Sequence, residues 1–224
     1  MIIHTIKEIR RPEKDLIEQF SKLSSATVYE ASGKQGYINS AIKPIDKEMK
    51  VCGPAFTVQC APRDNLMLHK ALQIANAGDI LVVDAGDAHE YGYWGALMVE
   101  SAISRGIGGL VINGCIRDSL EIIEMNFPVF CLGFSIRGTT KASLGLINYS
   151  LVFSQTITNP GDLILGDNDG LVVVRYEDCK SVLNKALERV SVEEEKKKKL
   201  SMGVSSVELN KMEDVFKNLG YKEQ

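Results

Sequence analysis

The sequence predicts an α/β fold with a parallel βαβ core, additional antiparallel strands and C-terminal helices. Three observations carry this. Residues 80–83 are a short apolar run between Gly78-Asp79 and Asp84-Ala85-Gly86, the pattern of a buried strand that ends in a loop. From Ala96 the apolar period becomes helical, with Leu97, Val99, Ala102 and Ile103 on one face and Gly106 as the stop. Residues 110–112 are a second buried run, turned by Asn113-Gly114 toward Cys115-Ile116-Arg117-Asp118. Strand, crossover helix and strand make parallel neighbours with a right-handed connection. Open α/β sheets bind ligands at the carboxyl ends of their strands, so the loops 86–95 and 114–118 are the expected site.

The remaining elements follow in order. Residues 12–33 read as helical, with Leu16, Phe20 and Leu23 on one face and Ser24-Ser25 as a cap. Residues 51–60 read as a strand interrupted early by Gly53-Pro54, with Phe56, Val58 and Cys60 on one side. Asp64 or Asn65 caps a helix over 66–75. A short helix follows Asp118 as far as Met125, and residues 127–131 supply a third parallel strand. Residues 147–157 alternate as antiparallel β before the turn at 159–162. Residues 162–174 form a hairpin around Gly166-Asp167-Asn168-Asp169-Gly170. A charged helix covers 178–200, where Glu193, Glu194 and Glu195 precede Lys197, Lys198 and Lys199 in the favourable i,i+4 order. Residues 206–219 read as one final helix, with Val207, Leu209, Met212, Val215 and Phe216 making apolar contacts.

With 224 residues, 45% hydrophobic, the chain can bury a large core. Its net charge of −3 argues against direct binding to nucleic acid, and the lysine run at 196–199 is offset by the glutamates before it. No apolar run reaches the ~18 residues of a membrane span. The charged start lacks the apolar core of a secretory signal. Five cysteines without CxxC spacing, mostly within apolar runs, read as free buried thiols of a cytoplasmic protein rather than a disulfide or zinc framework.

The chemistry concentrates in 117–121, Arg-Asp-Ser-Leu-Glu. Asp118 and Glu121, three apart, share one side of a helix start. With Arg117 beside them they suit a Mg²⁺ or Mn²⁺ ion that holds an anionic substrate. The same Asp-x-x-Glu spacing is also a helix N-terminal cap, and spacing alone leaves both readings open. Gly95, Ala96, Leu97 and Met98 open the helix after the first strand, where free N–H groups can take a carboxylate, although Gly92 to Gly95 also reads as a tight corner. Asp84, Asp87, His89 and Glu90 lie in the same loop, as proton-transfer groups or simply as polar loop residues. No Ser-His-Asp order, Walker pattern or GxGxxG is present.

The ordered series Gly53-Pro54-Ala55, Asp64-Asn65, Gly78-Asp79 with the strand to Asp84, Trp94-Gly95, Arg105-Gly106-Ile107, Gly114, Arg117-Asp118, Phe127-Pro128-Val129-Phe130 and Pro160-Gly161-Asp162 with Gly166 to Gly170 resembles the RraA-like family. That family contains 4-hydroxy-4-methyl-2-oxoglutarate aldolases with oxaloacetate decarboxylase activity, and regulators of ribonuclease activity. The resemblance implies a swivelling β/β/α fold, with residues 1–200 as a single catalytic domain. Residues 201–224 are then a helical tail on the domain or on a neighbouring subunit. It implies a homotrimer or hexamer with a site between subunits, and a small 2-oxo acid substrate whose carboxylate meets the amides of Gly95, Ala96, Leu97 and Met98. It further implies a divalent metal, Mg²⁺ or Mn²⁺, held by Asp118 and Glu121 largely through water, and substrate contact and catalysis by Arg117 with Asp118. A glutamate donated by a neighbouring subunit would match Glu194 or Glu195. One departure stands out: aldolase members often carry an acid where this chain has Ala96. The rival expectations are a non-enzymatic regulator of an RNA-processing enzyme, and the same enolate chemistry on another hydroxy or sugar acid.

Overall fold

The computed structural model describes residues 3–153 and 155–223. Two helices open the domain, α1 (Lys14–Ser21) and α2 (Ser25–Ala31), and the Ser24 hydroxyl accepts the Thr27 N–H at the start of the second. Then come β1 (Lys43–Pro44), β2 (Val51–Gln59), α3 (Leu66–Ile74), β3 (Ile80–Asp84), α4 (Ala96–Ser104), β4 (Gly109–Ile112), β5 (Cys115–Ile116), α5 (Ser119–Glu124), β6 (Val129–Cys131) and β7 (Gly133–Phe134). The second half holds β8 (Leu146–Ile147), β9 (Leu151–Phe153), β10 (Thr156–Thr158), β11 (Leu163–Gly166), β12 (Leu171–Val174), α6 (Cys179–Ser201), α7 (Ser206–Leu209) and α8 (Glu213–Asn218).

The main sheet runs β1-β6-β4-β3-β2-β11-β12, with β8 also paired to β2. β2, β3, β4 and β6 are mutually parallel neighbours, as the βαβ reading requires. Their apolar runs are buried on both faces, as a parallel sheet demands. Leu81, Val83, Leu110 and Ile112 pack toward Met98, Val99 and Ala102 of α4. The alternate residues Ile80, Val82 and Val111 pack with Leu151, Phe153 and Ile164. A third cluster seats Phe20, Val28, Val182, Leu183 and Ala186 on the outer face of β11 and β12.

Four expectations are corrected. Gly53-Pro54 does not interrupt β2, because the strand changes partner there. Residues up to Pro54 lie antiparallel to β11, and from Ala55 onward they lie parallel to β3. The N–H that proline lacks therefore falls at the changeover, and Ala55 N–H resumes by donating to the Asp162 carbonyl at 2.7 Å. The stretch 147–157, which includes Ser154 outside the described residues, is not one strand. Asn148 turns left-handed (φ 61°), and β9 and β10 pair with each other. In α6 the ion pair formed is Arg189–Glu193 at 2.8 Å; among the described residues Glu193–Glu195 make none with Lys197–Lys199. The final helix is two, because Lys211 is left-handed and Met212 N–H bonds back to the Val207 carbonyl, which closes α7 as a Schellman motif does. No side chain of α7 or α8 is buried.

Two further features fix the frame. Arg11 clasps the fully buried Asp79 with both arms of its fork, Nε to Oδ1 at 2.7 Å and Nη2 to Oδ2 at 2.8 Å. All five cysteines are free, and burial pushes the thiols of Cys52, Cys60, Cys131 and Cys179 up to about 12. Among the described residues, no helix is long and apolar enough to cross a membrane.

Candidate functional site

The loops after β3 and β4 are stitched to each other. Asn113 donates its amide to Asp84 Oδ1 (2.8 Å) and accepts Ala85 N–H (2.6 Å). Backbone bonds continue the seam: Cys115 N–H to the His89 carbonyl, Tyr93 N–H to the Cys115 carbonyl, and Arg117 N–H to the Trp94 carbonyl at 2.9 Å. Tyr93 and Trp94 are fully buried beneath it. The Tyr93 hydroxyl accepts Arg63 N–H and donates to the Ala88 carbonyl, both at 2.8 Å. Trp94 stacks on Phe127 with ring centroids 6.2 Å apart. Of the polar loop residues, Asp84 is spent on Asn113 and on Gly86 N–H, and His89 Nδ1 bonds the Asn113 carbonyl. Asp87 has no such role among the described contacts, and Glu90 lies 3.9 Å from Arg137.

Gly95, Arg117 and Asp118 converge at the start of α4. A Cβ on Gly95 would stand 2.6 Å from Asp118 Oδ2 and 3.2 Å from Arg117 Nε, so only glycine leaves room for both. Asp118 immediately precedes α5 with φ 59° and ψ 34°, and its side chain makes no cap bond there. The left-handed backbone instead accompanies a carboxylate turned to α4, where Oδ2 accepts Ala96 N–H at 3.1 Å and lies 3.6 Å from Arg117 Nε. The capping reading of Asp118 is thereby corrected: it serves the start of a different helix, where a negative charge also suits the helix dipole. Glu121 is exposed one turn into α5, and among the described residues its carboxylate has no hydrogen-bond partner.

The four amides expected to face a substrate carboxylate divide. Ala96 N–H is taken by Asp118, and Met98 N–H by the Gly95 carbonyl at 2.9 Å. Gly95 and Leu97 keep N–H groups with no acceptor among the described residues. The cleft at this point, about 420 Å³, is lined by Arg117, Asp118, Ser119, Phe134, Ser135 and Ile136. Sequence reasoning missed its Phe134–Ile136 wall. The available signal was that residues 132–137 follow a third parallel strand at its carboxyl end, as the other two site loops do. A larger cavity, about 610 Å³, lies among α2, β12 and the start of α6, but none of the sequence-derived site residues lines it.

The donor set decides which metal would fit. Among the described residues no group of three or more His, Cys, Asp or Glu side chains could hold a metal. Asp118 and Glu121 offer hard oxygens, with Asp118 Oδ1 uncommitted. So few protein ligands suit a hard cation that keeps most of its water, as Mg²⁺ does, and not a tetrahedral Zn²⁺.

Comparison with known proteins places these features in context. A family model described as RraA-like, Aldolase/RraA, matches residues 21–173. A protein of Halalkalibacterium halodurans, provisionally named as a 4-hydroxy-4-methyl-2-oxoglutarate aldolase, is 35% identical over 195 residues, 87% of this chain and 93% of its own. The crystal structure of Streptomyces coelicolor RraAS2, described as an unusual member of the RNase ES inhibitor RraA family, superposes with a TM-score of 0.77 at 28% identity. That match covers 85% of this chain and 99% of the other. An uncharacterized protein of Pseudomonas syringae shares the fold at a TM-score of 0.81 and 24% identity, over 90% of this chain and all of its own.

Proposed function

Because this chain belongs to the RraA-like family, we propose that it is a divalent-metal-dependent carbon–carbon lyase of short 2-oxo acids, with the Arg117–Asp118 cleft as its active site. The observation that carries this reading is the convergence of Arg117 and Asp118 on the open start of α4, over a glycine that only their approach explains. The free N–H groups of Gly95 and Leu97, at the positive end of the helix, receive the substrate's 1-carboxylate. The Arg117 guanidinium then faces the 2-oxo oxygen, where negative charge grows as the C3–C4 bond breaks and the pyruvate enolate forms. Asp118 and Glu121 would hold Mg²⁺ or Mn²⁺, which when bound adds positive charge at the 2-oxo oxygen.

Decarboxylation of oxaloacetate needs no base for a substrate hydroxyl, so these residues serve it without further help. Aldol cleavage of 4-hydroxy-4-methyl-2-oxoglutarate sheds a hydroxyl proton, and Ala96 stands where an acid would take it. The regulator reading gives no reason for Arg117, Asp118 and an unpaired Glu121 to be gathered at one helix start. The test is pyruvate release from both acids with Mg²⁺ and with EDTA. Metal-dependent release from at least one is expected, and a folded protein that releases none from either removes the lyase reading.

A further inference from the structure

The cavity of about 610 Å³ is larger than the Arg117–Asp118 cleft and shares no lining residue with it. Its floor is apolar, made by Val173 and Val174 of β12 and Val182 of α6, all buried. One wall is the turn after α2, which is fitted closely to the sheet. The Gly36 carbonyl accepts Val173 N–H at 2.8 Å, and a Cβ on Gly36 would collide with the Val173 carbonyl. The Ser32 hydroxyl locks the same turn, donating to the Tyr29 carbonyl at 2.7 Å and accepting Gln35 N–H at 3.2 Å. A second wall is the start of α6, where Asp178, Ser181 and Lys185 stand at steps of three and four and so share one face. Thr156 of β10 lines a third side, its hydroxyl donating to the Tyr37 carbonyl. The frame is therefore held by its own backbone and hydroxyl contacts before any ligand arrives.

The charged groups on this frame are uncommitted. Arg175 and Lys185 both line the cavity, and among the described residues neither is in an ion pair. Glu177, two residues from Arg175, is taken by Arg10. Asp178 is the single carboxylate in the described lining, and it too is unpaired among the described residues, so positive charge is in excess. Two cations beside the Ser181 hydroxyl suit a phosphate dianion, because the arginine fork meets two oxygens and the lysine adds a point charge. Asp178 repels a bare anion but accepts hydroxyl groups. No aromatic ring lines the cavity among the described residues, so a nucleobase finds no face to stack on. We propose that this cavity binds a phosphate monoester bearing hydroxyl groups, of the sugar-phosphate class, with Arg175 and Lys185 on the phosphate and Asp178 on the hydroxyls. The volume lies within the roughly 300–1,000 Å³ of small-ligand pockets. This site stands independently of the chemistry assigned to the Arg117–Asp118 cleft. A ligand there joins α2, β12 and α6, and it stabilises the fold by mass action.

Titration calorimetry at physiological salt with ribose 5-phosphate, glucose 6-phosphate, ribose and inorganic phosphate separates the contributions. The wild-type protein should bind at least one ester roughly tenfold more tightly than inorganic phosphate, and ribose not measurably. Arg175, Asp178 and Lys185 are exposed, so their variants should fold. Arg175→Gln and Lys185→Gln should each weaken ester binding roughly tenfold. Their combination should abolish it, together with the rise in melting temperature that the ester gives the wild type. Asp178 makes no cap bond at α6, and Asp178→Ala should move the two anions in opposite directions. Inorganic phosphate, relieved of a like charge, should bind more tightly, while the ester loses its advantage over it. Lys180→Gln, on the same helix but outside the lining and 3.4 Å from Glu13, should change nothing and so separates the site from long-range charge. Ester binding undiminished in the double variant overturns the site, as does an equal loss in Lys180→Gln. Equal binding of esters and inorganic phosphate by the wild type leaves an adventitious ion only and overturns the proposal, as does binding of neither ester.

Discussion

Asp118→Asn distinguishes a carboxylate that only fastens α4 from one that also faces a cation. Asparagine keeps an oxygen for Ala96 N–H, and the pairing with Arg117 is half exposed, so stability should change by less than about 1 kcal/mol. Loss of the charge should lower Mg²⁺ affinity and cut pyruvate release by roughly 100-fold or more. Wild-type release by a folded variant would leave Asp118 as a fastener alone. An aspartate introduced at Ala96 would stand at the start of α4 beside Asp118, where a carboxylate could take the substrate's hydroxyl proton. General-base catalysis contributes about 10²- to 10⁴-fold where geometry allows. Ala96→Asp should therefore raise aldol cleavage relative to oxaloacetate decarboxylation, and an unchanged ratio would clear Ala96 of any part in substrate choice. The residues themselves were legible because Arg-Asp-x-x-Glu is compact in sequence. The direction in which Asp118 points was not, because a left-handed aspartate and a capping aspartate leave the same letters.

Elements were legible wherever burial and period agreed, as in β3, α4 and β4. They were misread where a tertiary partner decides: β2 runs through its proline because β11 arrives from far along the chain, and α7 stops at a left-handed lysine that no glycine announces. The segment before α1 carried no sequence signal beyond charge, yet its Arg11 is the sole ion-pair partner of Asp79 among the described residues. Arg11→Ala leaves that buried carboxylate with only Asn76 N–H at 2.8 Å. Breaking a buried pair from one side costs about 3–5 kcal/mol, and the quarter exposure of Arg11 favours the low end. Urea denaturation should register a loss near about 3 kcal/mol; a loss below 1 kcal/mol would mean the clasp is ornamental.

At the scale of the molecule, two apolar surfaces are exposed among the described residues. Leu97, Leu120, Phe134 and Ile136 are exposed around the cleft, Ile136 at 96%. Met202, Val215, Leu219 and Tyr221 are exposed on the arm formed by the end of α6 with α7 and α8. We propose that these unlike surfaces meet head to tail between copies of the chain, a contact that closes into a ring where its rotation allows. Light scattering should give a multiple of 24.7 kDa, three or six chains being the proposal, and a monomer at assay concentration would refute it. The arm's apolar letters were readable in the sequence, but the sequence of one chain does not say what covers them. The partner change in β2 also has a consequence in time. Ala55 meets Ile80, 25 positions on, whereas Val51 meets Gly166, 115 positions on, and the longer closure costs about 1.4 kcal/mol more in chain entropy. Pulse-labelled hydrogen exchange during refolding should therefore find amides of β3 and β4 protected before those of β11 and β12, and simultaneous protection would refute that order. On the ribosome, at ~5–20 residues per second, the first half of β2 waits about 6–23 s for its partner. Until then the nascent chain carries an open strand edge, and chaperones have that interval in which to cover it.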